Sequence, residues 1–316
     1  MKVYLATKLF SFFDRLVSTY MYQSLIDTYG TTTDIYLPFR DSNMKVNQTG
    51  NVSKNIFLAD VKQLKETDMF VCRLDGPAFD SGIGFELGYC AAKNAPVIAV
   101  TTDYYNTRIH ERNFIISPII QEMAYCLKYE YTAITGADYA TELANNVFLF
   151  KESLHHSLQS IPINSRRVIP EFACFQKEFD VFLDFSGCRY KWNYHLLDIL
   201  TRHLEKMGLS YVISQRYDRE YSIDEDVNHL LSSHVYVICL DESEPDIDSC
   251  VLQGIAFARG KAIIGYETNP RRMFLPSKQE MGANLMVEQA CDRIVEALEQ
   301  IPDLVIQLKE KRYEGK

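Results

Sequence analysis

Short apolar runs alternate along this chain with longer stretches in which apolar residues return every three or four positions. Runs of the first kind at 2–6, 34–38, 69–74 and 96–101 predict strands. Residues 14–29 are of the second kind: Leu16, Val17, Tyr20, Leu25 and Ile26 fall on one side of a helix, and Gly30 ends it. Residues 54–67 repeat that pattern with Phe57, Val61 and Leu64, and Asp60 falls on the same stripe. A carboxylate on the buried side of a helix is expensive unless it is paired or faces a cavity. Amphipathic helices are also expected over 118–131 and 137–161, with polar loops over 40–53 and 102–118.

The pattern then restarts. Residues 181–184 read as another opening strand, 192–207 as a helix and 210–214 as extended chain. From there a correspondence runs without a gap. Residues 225–241 parallel 59–75, with Asp226 on Asp60, Asp246 on Asp80, Gly254 on Gly88 and Ala258 on Ala92, always 166 positions apart. A constant offset through helix, strand, turn, helix and strand implies a duplicated domain. The expected organisation is a first domain over 1–161, a linker over 162–176 with two prolines and two arginines, a second copy over 177–302, and a tail over 303–316. Each copy is expected to be an α/β domain, a doubly wound parallel sheet of four or five strands flanked by helices.

Composition narrows the partners. A formal charge of −9 argues against a nucleic-acid polymer, which calls for a basic surface. No apolar run approaches the ~18 residues of a membrane span, and the amino terminus reads straight into a strand without a signal-peptide layout. The eight cysteines lie mostly in apolar runs and form no CxxC pair, so they read as reduced core thiols of a cytoplasmic protein. No Cys/His spacing suits zinc, and no metal or cofactor is expected.

The candidate chemistry lies between two strands, in Asp80-Ser81-Gly82-Ile83-Gly84-Phe85-Glu86-Leu87-Gly88-Tyr89. In an open parallel sheet such a turn sits at the carboxyl ends of the strands, where ligands bind. Asp80 falls in the turn. Glu86 falls early in the following helix, whose positive end favours the ionised form. Gly82 and Gly84 would let a ligand approach the backbone. At the offset of the repeat, Glu86 faces Leu252, while Gly82 and Gly84 face Asp248 and Cys250. The second copy is therefore expected to keep the fold and lack the chemistry.

This stretch resembles the signature of the nucleoside 2-deoxyribosyltransferase family: an Asp, a Gly-rich turn, then Glu-Leu-Gly-Tyr. Asp60 matches a second family Asp about twenty residues upstream. The opening Val3-Tyr4-Leu5-Ala6, an aromatic-rich loop with Phe10, Phe12 and Phe13, and Asp14-Arg15 at a helix start fit as well. The likeness covers roughly residues 1–125. It implies flavodoxin-like domains and a double displacement in which Glu86 attacks C1′ of a deoxynucleoside, Asp80 protonates or hydrogen-bonds the departing base, and Asp60 holds a sugar hydroxyl. Tyr4, at the end of the first strand, is placed to hydrogen-bond Glu86. Phe10 would stack on the base, Arg40 and Asp41 resemble a family loop that closes on it, and Asn113 resembles an Asn that reaches a neighbouring active site. Nucleosides and free nucleobases are the implied partners. The second copy would serve as a covalently attached partner domain, an intramolecular pseudo-dimer, with further homo-oligomers left open. Two other readings stand beside this one: an N-glycoside hydrolase of nucleosides or deoxynucleoside monophosphates, for which Lys8 and Arg15 speak, and a nucleoside-binding sensor without turnover.

Overall fold

The computed structural model describes residues 1–9, 11–43, 50–76, 79–103, 105–109, 111–129, 138–160, 178–185, 191–214, 223–241, 244–269, 273–274, 280–281 and 284–314. Phe10, the expected linker 162–176 and part of the 40–53 loop lie outside the described residues.

The first half runs β1 (Lys2–Ala6), α1 (Phe12–Tyr29), β2 (Asp34–Tyr36), α2 (Val52–Glu66), β3 (Met69–Arg73), α3 (Ser81–Ala92), β4 (Val97–Thr101), a hairpin of β5 (Thr107–Ile109) and β6 (Arg112–Phe114), α4 (Pro118–Met123), β7 (Tyr125–Lys128) and α5 (Tyr139–Ser160). Its sheet has the order β2-β1-β3-β4-β7, with every pair parallel. The second half runs β8 (Phe179–Asp184), α6 (Lys191–Lys206), β9 (Tyr211–Ile213), α7 (Ile223–Ser232), β10 (Ser233–Cys239), α8 (Ile247–Ala258), β11 (Ala262–Tyr266), a hairpin of β12 (Met273–Phe274) and β13 (Glu280–Met281), α9 (Leu285–Gln289), β14 (Arg293–Val295) and α10 (Ile301–Glu314). Its sheet, β9-β8-β10-β11-β14, has the same order and the same parallel sense. Both are flavodoxin-like.

Three expectations are corrected. Of the stretch 118–131, the described residues 118–129 form a short helix followed by a strand, because Ala124 leaves the helix and Tyr125–Lys128 pairs with β4 as the sheet edge. The second strand stops at Tyr36, and a π-helical turn at Phe39–Asn43 follows. The stretch 303–316 is no tail through residue 314: it belongs to α10, whose Ile301 and Val305 are buried in the core of the second half. No helix among the described residues is long and apolar enough to cross a membrane.

The joint between the halves follows from α3. Its sequence is apolar nearly all round, and all twelve of its residues are buried. A helix of that kind must be covered on every side. Its own sheet covers one side, and α8 of the second half covers the other. Gly88 and Gly254 make the crossing close. A Cβ on Gly88 would lie 1.9 Å from the carbonyl oxygen of Val251, and one on Gly254 would lie 2.0 Å from that of Phe85. Gly254 and Val251 stand 166 positions after Gly88 and Phe85, so the two contacts are related by a local pseudo-two-fold axis. Phe257 adds rings against Phe57, Phe85 and Tyr89. One hydrophobic core consequently runs through both halves.

Candidate active site

In the order β2-β1-β3-β4 the chain passes from β1 to β2 on one side and from β3 to β4 on the other, so the carboxyl ends of β1 and β3 form the switch point of the sheet. The chemistry-bearing side chains meet there. Tyr4 is fully buried on β1, with its ring stacked on Phe70 of β3. Its hydroxyl donates to Glu86 Oε1 at 2.6 Å. Tyr36, at the end of β2, packs 5.2 Å from Tyr4 ring to ring and donates to Asp60 Oδ1 at 2.6 Å. Asp60 thus lies on the buried face of α2 and is paired. Asp80 is the N-cap of α3: its Oδ1 accepts from the backbone N–H of Gly82 at 2.9 Å and of Ile83 at 3.4 Å.

Three carboxylates gathered out of water resist ionising together. Burial drives Glu86 well above the usual carboxylate range, the charges of Asp60 and Asp80 add to this, and the Tyr4 hydroxyl opposes it. The expected benefit of the helix's positive end is outweighed, because Glu86 sits in the second turn and is only 5% exposed. Burial raises Asp60 to about 6, against hydrogen bonds from Tyr36 and Ser42. Asp80 is also raised by burial, and the Ile83 and Gly82 amides, Lys8 and Asn284 pull it back down. The site favours holding protons on some of its carboxyl groups near neutral pH.

Asn284 comes from the second half. As the N-cap of α9 it accepts from the Met286 N–H at 3.0 Å, and its Nδ2 donates to Asp80 Oδ1 at 3.0 Å. Glu244, also from the second half, accepts from the Ser81 hydroxyl at 2.8 Å and from the Ser81 N–H at 3.3 Å. In the opposite sense, Ser117 of the first half donates to Asp248 at 2.5 Å.

The amino-terminal half accounts for the family match. Residues 3–133, β1 through β7, match the sequence model of the family described as nucleoside 2-deoxyribosyltransferase. Over those residues the chain is similar to that family. A search of curated proteins finds no match. Among solved structures, a conserved protein from Enterococcus faecalis V583 is 24% identical, with a TM-score of 0.34 over 48% of this chain and 98% of its own. A 2-deoxyribosyltransferase from the psychrotolerant bacterium Bacillus psychrosaccharolyticus is 18% identical, with a TM-score of 0.32 over 45% of this chain and 96% of its own. A conserved domain protein from Vibrio cholerae O1 biovar El Tor is 12% identical, with a TM-score of 0.24 over all of this chain and 84% of its own.

Of the residues expected at a deoxyribosyltransferase site, Tyr4, Asp60, Asp80 and Glu86 are brought together. Gly82 and Gly84 are placed differently from the expectation. A Cβ on Gly82 would meet Asn284 Oδ1 at 2.7 Å, and one on Gly84 would meet Ile247 Cδ1 at 2.8 Å. The described neighbours that need these glycines belong to the second half: the Asn284 side chain at Gly82, and the side chain and carbonyl oxygen of Ile247 at Gly84. Arg40 is bound to Asp41 through Nε at 2.8 Å and Nη2 at 2.5 Å, reaches the Ile35 carbonyl at 2.6 Å, and lies over the Tyr22 ring. Asn113 is exposed on β6, and no described contact joins it to the three carboxylates. Sequence reasoning missed Tyr36, Ser42, Asn284 and Glu244. Tyr36 had a signal in its place at the end of a strand next to β1; Asn284 and Glu244 had none near the motif. Among the described residues, no group of three or more His, Cys, Asp or Glu side chains is placed to hold a metal ion.

Proposed function

We propose that the first half transfers 2-deoxyribose between nucleobases by double displacement through Glu86. The observation that supports this most is the buried Glu86 carboxylate held by the Tyr4 hydroxyl at 2.6 Å, at the switch point of the sheet, with two further carboxylates beside it. In this reading Tyr4 engages Oε1 and leaves Oε2 for attack on C1′. The N-glycosidic bond breaks, its electron pair leaves with the base, and the carboxyl proton of Asp80 passes to the base nitrogen. A second base then attacks C1′, the bond to Glu86 breaks with its electrons returning to the carboxylate, and Asp80 takes back the proton the incoming base gives up. Two displacements at one carbon retain its configuration. Asp60, ionisable near pH 6, serves as acceptor for a sugar hydroxyl.

The second half fits the role of a built-in partner. Leu252 stands fully buried at the position offset from Glu86, and Phe182 holds the register place of Tyr4, so neither the nucleophile nor its hydroxyl is present there. Covalent attachment keeps this partner at high effective concentration. The test is base exchange. Thymidine with excess adenine should yield deoxyadenosine, and Glu86→Ala should abolish it. Free thymine and free deoxyribose without exchange would instead establish a hydrolase. Nucleoside binding with no turnover from any nucleoside or nucleotide donor would establish a binding module.

A further inference from the structure

We infer that Asn284, a residue of the non-catalytic second half, is a positioning residue that fixes which oxygen of Asp80 carries the transferable proton. This rests on the transferase reading of the same site. Three donors converge on one oxygen: the amides of Gly82 and Ile83, and Asn284 Nδ2, all on Oδ1. An oxygen with its lone pairs so engaged is a poor place for a proton, so the proton resides on Oδ2. The first two donors belong to the turn itself and are present in any helix capped by Asp. The third is supplied across the joint between the halves.

The packing shows that Asn284 is built in. It is 6% exposed, its Oδ1 is tied to the Met286 amide, and it lies over Gly82, where any side chain would collide with it. The side chain is thereby held with its oxygen on α9 and its amide on Asp80. The other charged groups facing Asp80 come from three elements: Lys8 from the segment after β1, Glu86 from α3 itself, and Glu244 from the segment after β10. Lys8 and Asn284 favour the ionised form of Asp80, whereas burial disfavours it. Removing the amide leaves that balance to burial, and Asp80 holds its proton to higher pH.

The experiment compares full-length wild type, Asn284→Ser and Asn284→Asp. Serine keeps a capping oxygen for α9 and loses the amide donor. Aspartate keeps the cap and places a second carboxyl group against Asp80. Two readouts are taken. The first is the pH profile of kcat/KM for a deoxynucleoside donor, whose alkaline limb reports loss of the Asp80 proton. The second is the titration of Asp80 by carboxyl 13C NMR, assigned by the signal lost in Asp80→Asn, which needs no turnover. The expected result is an upward move of both by about one pH unit in Asn284→Ser and by more in Asn284→Asp. A lowered rate with both midpoints unmoved would assign Asn284 to structure alone and overturn the inference. Absence of turnover in wild type would sink the transferase reading, and the NMR shift would still decide the role of Asn284.

Discussion

Gly254 is far from Glu86 in sequence and belongs to the half without a nucleophile, yet Gly254→Ala is expected to damage the site. A Cβ there would sit 2.0 Å from the Phe85 carbonyl oxygen and 2.7 Å from the Tyr89 nitrogen, whereas real Cβ atoms stay beyond 3.0 Å. Both atoms are helix backbone and cannot swing aside, so α3 and α8 must part by about 1 Å, an overpacking that costs about 1–3 kcal/mol. Phe85 is the neighbour of Glu86, and the same displacement carries Asn284 and Glu244 away from Asp80 and Ser81. A shift of that size at reacting groups costs roughly 10²-fold in rate. The assay is a denaturant titration together with base-exchange kinetics under conditions where the variant stays folded. Gly88→Ala, its pseudo-symmetric counterpart, should behave alike. A Gly254→Ala protein with wild-type midpoint and wild-type kcat/KM would refute both the close crossing and its link to the site.

Two further outcomes follow from single side chains. Tyr4→Phe removes the donor to Glu86, a hydrogen bond to a charged group worth about 1.5–3 kcal/mol, and should lower kcat/KM roughly 10- to 100-fold with little loss of stability. Phe182 already fills the matching place in the second sheet; unchanged kinetics would show that the hydroxyl does not serve Glu86. Asp60 is held at about 6 in the folded chain against an ordinary 3.8. The folded state therefore binds this proton more tightly than the unfolded state does. The stability it contributes is fully present below about pH 4 and lost as the pH rises through about 6, at most about 3 kcal/mol. Asp60→Asn cannot titrate, so its stability relative to wild type should climb over that interval, and parallel stability-versus-pH curves would contradict the assignment.

Both sheets were legible because their central strands are buried on both faces and read as unbroken apolar runs. β7 was not, since Tyr125–Lys128 is a half-buried edge strand without such a run. The core of the site was legible through Asp80 and Glu86, whose spacing around a turn is local, and through Asp60, whose place on an apolar stripe is costly. The glycines were misread. A helix sequence does not say whether a ligand or another helix comes close, although the pairing of Gly88 with Gly254 at the repeat offset was a visible sign of a close crossing. Asn284 had no local sign because its contact with Asp80 spans 204 positions and depends on how the two halves dock.

The central claim is that a sugar becomes covalently attached to Glu86. It is tested most directly by acid-quenching the full-length protein during turnover of a 2-fluorinated deoxynucleoside, which slows release of the sugar, and measuring the intact mass and then the peptide masses. The account predicts one added deoxyribosyl-type group, located on Glu86 and absent from Glu86→Ala. Base exchange with no adduct in wild type, or an adduct that persists in Glu86→Ala, would contradict it.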